Sequence, residues 1–388
     1  MQQIFKKAGI KPGLFCIFIA MRIGFDAKRA FLNSSGLGNY SRNTINALHR
    51  FSKNNQYVLY SPKIKDELFE NYKQFEVHSP ENAFEKIFKS FWRSYSAKHL
   101  KSHQIELFHG LSNELPKGIH KINVPAVVTI HDLIFIRFPQ FYKAIDRKIY
   151  YSKVKYACNS AQRIIAISQQ TKDDIVRFFD VNPDKIEVVY QSVSPVFYEI
   201  ANTEILPAKY NLANNFILSV GTLEPRKNQL SLLKAIHSEK IDIQVVFVGK
   251  PTSYEKKLNR FISENRMENQ VKFLNNISEN DLAGLYQLAN ISVYISYFEG
   301  FGLPVIESMA SGCPVITSNV SCLPETAGDA AILCSPNNFN ELGTQIKVLL
   351  ENDNLRQELI QKGIDRASLF SPEYFSEKMI SLYTGILS

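Results

Sequence analysis

Short apolar, β-branched runs alternate with helix-period segments along nearly the whole chain, and the alternation stops and restarts once. In the first half the strand-type runs are Arg22–Phe25, Gln56–Tyr60, Glu106–His109, Ala126–Ile130, Arg163–Ile167 and Lys185–Tyr190. Helical segments lie between them, from after Tyr40 to Arg50 and at Glu81–Lys101, Tyr142–Cys158 and Thr171–Phe179. Around residues 192–212 the pattern gives way to Pro195, Pro207 and small or polar residues. It resumes with strand-type runs at Phe216–Val220, Gln244–Val248, Val271–Leu274, Ile291–Ile295, Val315–Thr317 and Ala331–Leu333. Strands that alternate with helices must run parallel, with helices on both faces of the sheet. The expectation is therefore an α/β chain of two Rossmann-like, doubly wound domains. Ligands of such sheets sit at the carboxyl ends of the strands, so a central cleft between the domains is the expected site.

The expected boundaries follow from that pattern. Residues 1–20 form an N-terminal extension, 21–195 the first domain, 196–212 a linker and 213–370 the second domain. Residues 371–388 form a terminal helix that could return to the first domain. Lys6, Lys7 and Lys11 precede an apolar run from Leu14 to Ala20, which imitates a secretory signal without its cleavage site. The run is too short to span a bilayer. A short membrane-associating segment is the rival reading.

Charge divides unevenly. Residues 1–200 carry 29 Lys+Arg against 17 Asp+Glu, whereas the remainder carries 16 against 20. A basic first half suits an anionic surface, such as a phosphorylated lipid or the inner face of a membrane. Nucleic acid is not expected, because no aromatic-basic sheet motif accompanies the charge. The five cysteines have no regular spacing, which argues against a disulfide framework and for the cytoplasm. One further segment, Phe84–Lys98, carries Phe84, Ile87, Phe88, Phe91, Trp92 and Tyr95 at helical spacing, with Lys86, Lys89, Arg93 and Lys98 on the rest. Core packing is the favoured reading, and a membrane-interface helix is the alternative.

The chemistry concentrates in Tyr297-Phe-Glu-Gly-Phe-Gly-Leu-Pro-Val-Ile-Glu307. A buried strand ends just before it, and Pro304 stands where a helix would begin. The N–H groups of that helix start, with its dipole, make an anion site suited to a diphosphate. Gly300 and Gly302 let a ligand approach the backbone. Glu299 and Glu307 are acceptors for vicinal hydroxyls. Arg226 and Lys227 follow another strand, where two fixed cations can stabilise a diphosphate leaving group. Gly36 and Gly38 precede a helix. His131 ends a strand, with Asp132 beside it, and His109 ends another. Position 41 is Ser41, so the Gly-x-Gly-x-x-Gly dinucleotide fingerprint is absent.

Together these pieces resemble the retaining glycosyltransferases of family 4, whose fold is GT-B. The resemblance runs through Gly36-Leu-Gly-Asn-Tyr40, His131-Asp-Leu133, Val220-Gly-Thr-Leu-Glu-Pro-Arg-Lys-Asn228, the E-x7-E spacing of Glu299 and Glu307, and Leu323-Pro-Glu-Thr-Ala-Gly-Asp-Ala-Ala331. It covers the chain from Met21 onwards. The resemblance implies that Glu307 binds the donor ribose and Glu299 the transferred sugar. It assigns Arg226 and Lys227 to the diphosphate, and the backbone of Gly300, Phe301, Gly302 and Leu303 to the sugar and phosphates. The glycine loop at Gly36 and Gly38 would face the donor phosphates, and His131 the donor sugar. Asp132 and His109 are acceptor-side candidates. Catalysis would rest on Glu299, His131, Arg226 and Lys227.

The implied activity is retaining transfer of a hexose from a nucleotide-diphosphate sugar, with GDP-mannose the first candidate, to a glycan or polyprenyl-diphosphate-linked acceptor. This would serve surface polysaccharide synthesis. No Asp-x-Asp motif occurs, so no cofactor and no metal are expected. Two alternatives stay open. One is another nucleotide-sugar enzyme on the same architecture, such as an epimerase or a phosphorylase. The other is a non-catalytic glycan- or membrane-binding protein.

Overall fold

The computed structural model describes residues 20–80 and 83–388, apart from the side chains of residues 83–84 and 89–91. The expected 1–20 extension, except for Ala20, thus lies outside the described residues, as do the side chains of Phe84, Lys89 and Phe91. The first sheet holds seven parallel strands: β1 (Arg22–Asp26), β2 (Gln56–Tyr60), β3 (Glu76–His78), β4 (Leu107–Gly110), β5 (Ala126–Ile130), β6 (Arg163–Ala166) and β7 (Ile186–Val188). Their order is β3-β2-β1-β4-β5-β6-β7. The second sheet holds β8 (Phe216–Val220), β9 (Gln244–Val248), β10 (Val271–Leu274), β11 (Ile291–Tyr294), β12 (Val315–Ser318) and β13 (Ala331–Cys334), in the order β10-β9-β8-β11-β12-β13. All pairings are parallel.

Strands covered by helices on both faces must be apolar throughout. Ala126–Ile130 shows this, with all five residues buried. The strand order reverses between β1 and β4 in the first sheet and between β8 and β11 in the second. A crevice opens outside the carboxyl ends of the strands at each such point. The segments that follow β5, β6, β8 and β11 supply the loops of the site described below.

The last helix, Pro372–Leu387, lies against the helix Gly36–Phe51 of the first domain. Phe375, Met379 and Tyr383 bury into that domain's core, and the Ser376 hydroxyl sits 3.1 Å from that of Ser52. The N-cap Ser371 accepts from the Tyr374 N–H, which fixes where this helix begins.

The structure departs from the expected elements in three places. The segment 192–212 holds a short 3-10 turn, Pro195–Tyr198, and a helix, Leu206–Tyr210, in which Pro207 occupies the first turn. Glu76–His78 adds an edge strand too short to show a period. The single helix expected over Glu81–Lys101 is three: Ala83–Ile87, Lys89–Ser94 and Ala97–Leu100. The breaks let Trp92 bury to 5% exposure and turn Arg93 inward onto Asp26. The apolar stripe of this segment is therefore not one core face: Ile87 is 75% and Phe88 51% exposed, with Tyr95 also on the surface.

Candidate active site

The cleft is built from four loop segments. From the second domain come Gly221–Asn228, after β8, and Ser296–Gly302, after β11. The first domain contributes His131–Leu133, after β5, and Ser168, which opens the helix Gln169–Phe179.

The second-domain loops join through charge. Glu299 is buried, and its carboxylate pairs with Arg226 at 2.8 Å and with Lys227 at 2.7 Å. Arg226 also donates to the Phe298 carbonyl at 2.5 Å and pairs with Glu224 at 2.6 Å. Lys227 donates to the Tyr294 hydroxyl and stands 4.8 Å from the centre of that ring. Burial alone would raise the Glu299 carboxyl, but the two cations overcome it and hold the pKa down to about 2. Burial lowers the Lys227 ammonium despite its anionic partner. The result is a compensated cluster in which each charged group is fixed by another. Asn228, in the left-handed region at φ +59°, anchors the loop by donating to the Ile295 and Pro336 carbonyls.

Gly300 sits where the two domains meet. A Cβ there would stand 2.2 Å from the His131 carbonyl oxygen, closer than any side chain tolerates. The Ser168 hydroxyl donates to the Gly300 carbonyl at 2.7 Å, and the Gln169 N–H donates to Glu325 at 2.7 Å. Gly302, at φ +99°, ends the loop and caps the helix Leu303–Ala310. Pro304 occupies the second helical position rather than the first. Leu303 therefore keeps an N–H at the helix start. The Phe301 ring is buried between Tyr190 and Phe370, so only its backbone can meet a ligand.

Glu307, half-buried within that helix, lies 3.4 Å from the Tyr286 hydroxyl. Burial, reinforced by Glu279, pushes its carboxyl up to about 8. The two glutamates of the motif thus hold opposite protonation states near neutral pH, one anionic among cations and one largely neutral.

On the first-domain side His131 is buried, with Nε2 2.8 Å from the Leu111 carbonyl and its ring edge-on to Tyr40. Burial lowers its pKa to about 4, so it is neutral near pH 7. Asp132 stands in the electrostatic range of Arg226, Lys227 and Glu299, and burial raises its carboxyl. Gly36 and Gly38 form the first turn of the helix Gly36–Phe51 instead of preceding it. Gly38 has no room for a side chain, because a Cβ would lie 1.7 Å from the Asn33 carbonyl, whereas Gly36 is open.

His109 does not join these groups. It is fully buried, with Nδ1 2.6 Å from the Tyr383 hydroxyl and Nε2 2.8 Å from the Thr129 hydroxyl. Burial drives its pKa down to about 3. Both ring nitrogens are engaged, so its placement on the acceptor side is corrected to a core tie between the first sheet and the last helix.

Sequence reasoning passed over Tyr294, Glu224, Ser168 and Tyr286, each of which holds a site residue through a hydrogen bond or an ion pair. Glu224 stands inside the quoted Gly-Thr-Leu-Glu-Pro motif and could have been found. The others carry no local signal. Among the described residues no group of three or more His, Cys, Asp or Glu is placed to hold a metal ion, and no helix is long and apolar enough to cross a membrane.

Comparison with known proteins identifies the family and the fold. Residues 34–196 match the family described as Glycosyltransferase Family 4, and residues 202–366 match Glycosyl transferases group 1. O-antigen chain mannosyltransferase B of Escherichia coli is 30% identical over 292 residues, which cover 73% of this chain and 75% of that protein. The serotype-specific mannosyltransferase WbdA of Escherichia coli is 28% identical over 73% of this chain and only 36% of its own length. Among solved structures, Anabaena Alr3699/HepE in complex with UDP-glucose superposes with a TM-score of 0.75 at 17% identity, covering 94% of this chain and 100% of that one.

Proposed function

We propose, for a chain that belongs to the family 4, group 1 glycosyltransferases with the GT-B fold, a retaining hexosyl transfer from a nucleotide-diphosphate sugar to a saccharide acceptor. The donor is GDP-mannose, in keeping with the mannosyl transfer named for its relatives. The acceptor is a growing surface glycan carried on polyprenyl diphosphate. The observation that carries this reading is the cluster of Arg226, Lys227 and Glu299 at the start of the helix Leu303–Ala310.

The chemistry follows from that placement. As the bond from the anomeric carbon to the diphosphate breaks, negative charge grows on the leaving phosphate. Once engaged with the bound diphosphate, Arg226, Lys227 and the N–H groups at the helix start stabilise it with no further reorganisation. They do the electrostatic work of a divalent ion, so the reaction needs no metal. Glu299 orients both cations and accepts hydroxyls of the transferred sugar. Glu307, when ionised, accepts both ribose hydroxyls. Neutral His131 meets the sugar from the opposite wall as a hydrogen-bonding group. No side chain is assigned as nucleophile: the leaving phosphate takes the proton of the acceptor hydroxyl, which attacks the same face of the sugar. Exposed Ile145 and Ile149, with Ile87 and Phe88 and surrounding lysines, give the first domain a peripheral contact with an anionic membrane.

The test is a metal-free thermal-shift screen of GDP-mannose, UDP-glucose, UDP-galactose, UDP-GlcNAc and dTDP-rhamnose. GDP-mannose should stabilise the wild type selectively, and Arg226→Ala should abolish the shift. Selective stabilisation by a uridine or thymidine donor would refute the GDP-mannose assignment. A shift that survives Arg226→Ala would refute the clamp.

A further inference from the structure

A second polar site lies in the first domain, away from the donor loops. Between the helices Lys89–Ser94 and Ala144–Ser160 a cavity of about 170 Å³ opens, lined by Asp26, Arg93, Glu114, Lys117, Lys153 and Tyr156. Its floor is a fixed charge network. The Arg93 guanidinium pairs with Asp26 and Glu114, each at 2.5 Å, and Lys153 reaches Glu114 at 3.2 Å. Asp26 ends β1 and Glu114 follows β4, so the cavity stands at the point where the strand order of the first sheet reverses. That is where such sheets place ligands. No step of the transfer chemistry uses these residues.

The network specifies what can bind. Glu114 takes one bond from Arg93 and one from Lys153, and a carboxylate can accept more. The two carboxylates at the floor are already paired with cations and still accept from hydroxyls, while the ammonium groups of Lys153 and Lys117 at the rim donate to them. Fixed acceptors beside exposed donors suit a neutral polyol.

Two chain segments run from the cavity towards the cleft. Ile145, Ile149, Lys153 and Tyr156 fall on one face of the helix Ala144–Ser160. Tyr142, just before this helix, is in the electrostatic range of Asp132 and Arg226. At 1.5 Å per residue Lys153 lies roughly 15 Å along from Tyr142. A shorter path exists through the turn after β1, where Lys28 stands near Arg93 and Glu114, and Arg29 near His131.

We propose that this cavity is a subsite for a neutral saccharide unit of the acceptor, set back from the hydroxyl that is glycosylated. The assignment rests on the transfer reading above, and Asp26, Arg93, Glu114 and Lys153 would hold the chain of sugars while its end reaches the cleft.

The experiment is calorimetric titration of mannotriose, and separately of GDP-mannose, into wild type, Glu114→Gln, Lys153→Met and Arg226→Ala. Losing a charged hydrogen-bond partner should weaken mannotriose about tenfold or more in Glu114→Gln and Lys153→Met, with GDP-mannose unchanged. Arg226→Ala should do the reverse. Lys153 is exposed, so its variant keeps the test valid should Glu114→Gln fold poorly beside Arg93. Mannotriose binding within twofold of wild type in the folded variants, or no saturable binding to wild type, overturns the subsite. Mannotriose binding that needs Glu114 and Lys153, in a protein that binds no nucleotide sugar, would leave the subsite standing and sink the transfer reading instead.

Discussion

Glu307→Gln should make the protein more stable and its donor site worse, and both effects should vanish or reverse with pH in a set way. The Glu307 carboxyl rises from 4.5 to about 8 in the folded protein because burial disfavours its charged form. A raised carboxyl pKa means that the folded state holds a proton which the unfolded state has lost. Stability from this group is therefore fullest below pH 4.5 and declines by about 1.4 kcal/mol per pH unit up to about pH 8. Near pH 7.5 the accumulated cost is about 4 kcal/mol, an upper bound for what the neutral glutamine recovers while keeping an oxygen for the Tyr286 hydroxyl. Donor binding runs the other way. If the ribose hydroxyls select the carboxylate, affinity for GDP-mannose must climb about tenfold per pH unit below 8 and level off above it. The diphosphate diester of the donor does not titrate there. Glu307→Gln should flatten this profile at its weak end. Urea unfolding at pH 5, 6.5 and 8, paired with calorimetric donor titrations at the same values, measures both. A variant no more stable than wild type at pH 8, or wild-type affinity that is level from pH 6 to 8, would refute the reasoning.

Three further outcomes follow from the geometry. Gly300→Ala drives a methyl against the His131 carbonyl, so the domains must separate. It should cost about 1–3 kcal/mol and widen the particle in small-angle scattering, whereas an unchanged profile with full turnover would disprove the close approach. Tyr383→Phe removes the partner of His109 Nδ1 and should destabilise the protein by about 1–3 kcal/mol, leaving donor affinity as it was. A change in donor affinity would mean that His109 acts on the cleft after all. Wild type should sediment with phosphatidylglycerol vesicles at low salt and be released at high salt, and Ile145→Asp with Ile149→Asp should abolish the effect. Equal sedimentation of the double variant would remove the membrane contact from that helix.

The second domain was legible in the sequence almost to the residue, and the reason is physical. A parallel strand buried on both faces reads as a near-continuous apolar run, as Phe216–Val220 and Gln244–Val248 do, while the half-buried edge strand Val271–Leu274 tolerates Lys272. The first domain was harder where structure depends on distant partners. Nothing within Glu81–Lys101 says that the helix breaks, because the break serves an ion pair from Arg93 to Asp26, which lies far away along the chain. The two histidines make the same point. His109 and His131 each end or follow an apolar strand of the same sheet, and local sequence does not separate them. What separates them is Tyr383, 274 positions further on, which returns on the last helix to occupy His109 and seal it from the cleft. Tyr40 packs edge-on against His131, whose Nε2 is taken by the Leu111 carbonyl, while the peptide carrying it remains against Gly300.

The charged residues were legible as a set but not as a state. Arg226, Lys227, Glu299 and Glu307 can each be read from two short motifs, whereas their protonation depends on how the motifs meet. Glu299 is anionic because the loop after β8 folds two cations onto it. Glu307, eight positions further along the same segment, is largely neutral because burial, reinforced by Glu279, outweighs the lowering effects of the Tyr286 hydrogen bond and of Lys227. Each carboxylate therefore sets a different condition on a donor. On the proposed reading a donor diphosphate would draw Arg226 and Lys227 partly away from Glu299 and free that carboxylate for sugar hydroxyls. On the same reading a ribose would bind with loss of a proton from Glu307. On the proposed reading the site would therefore favour a ligand that carries both groups over a free sugar or a free phosphate.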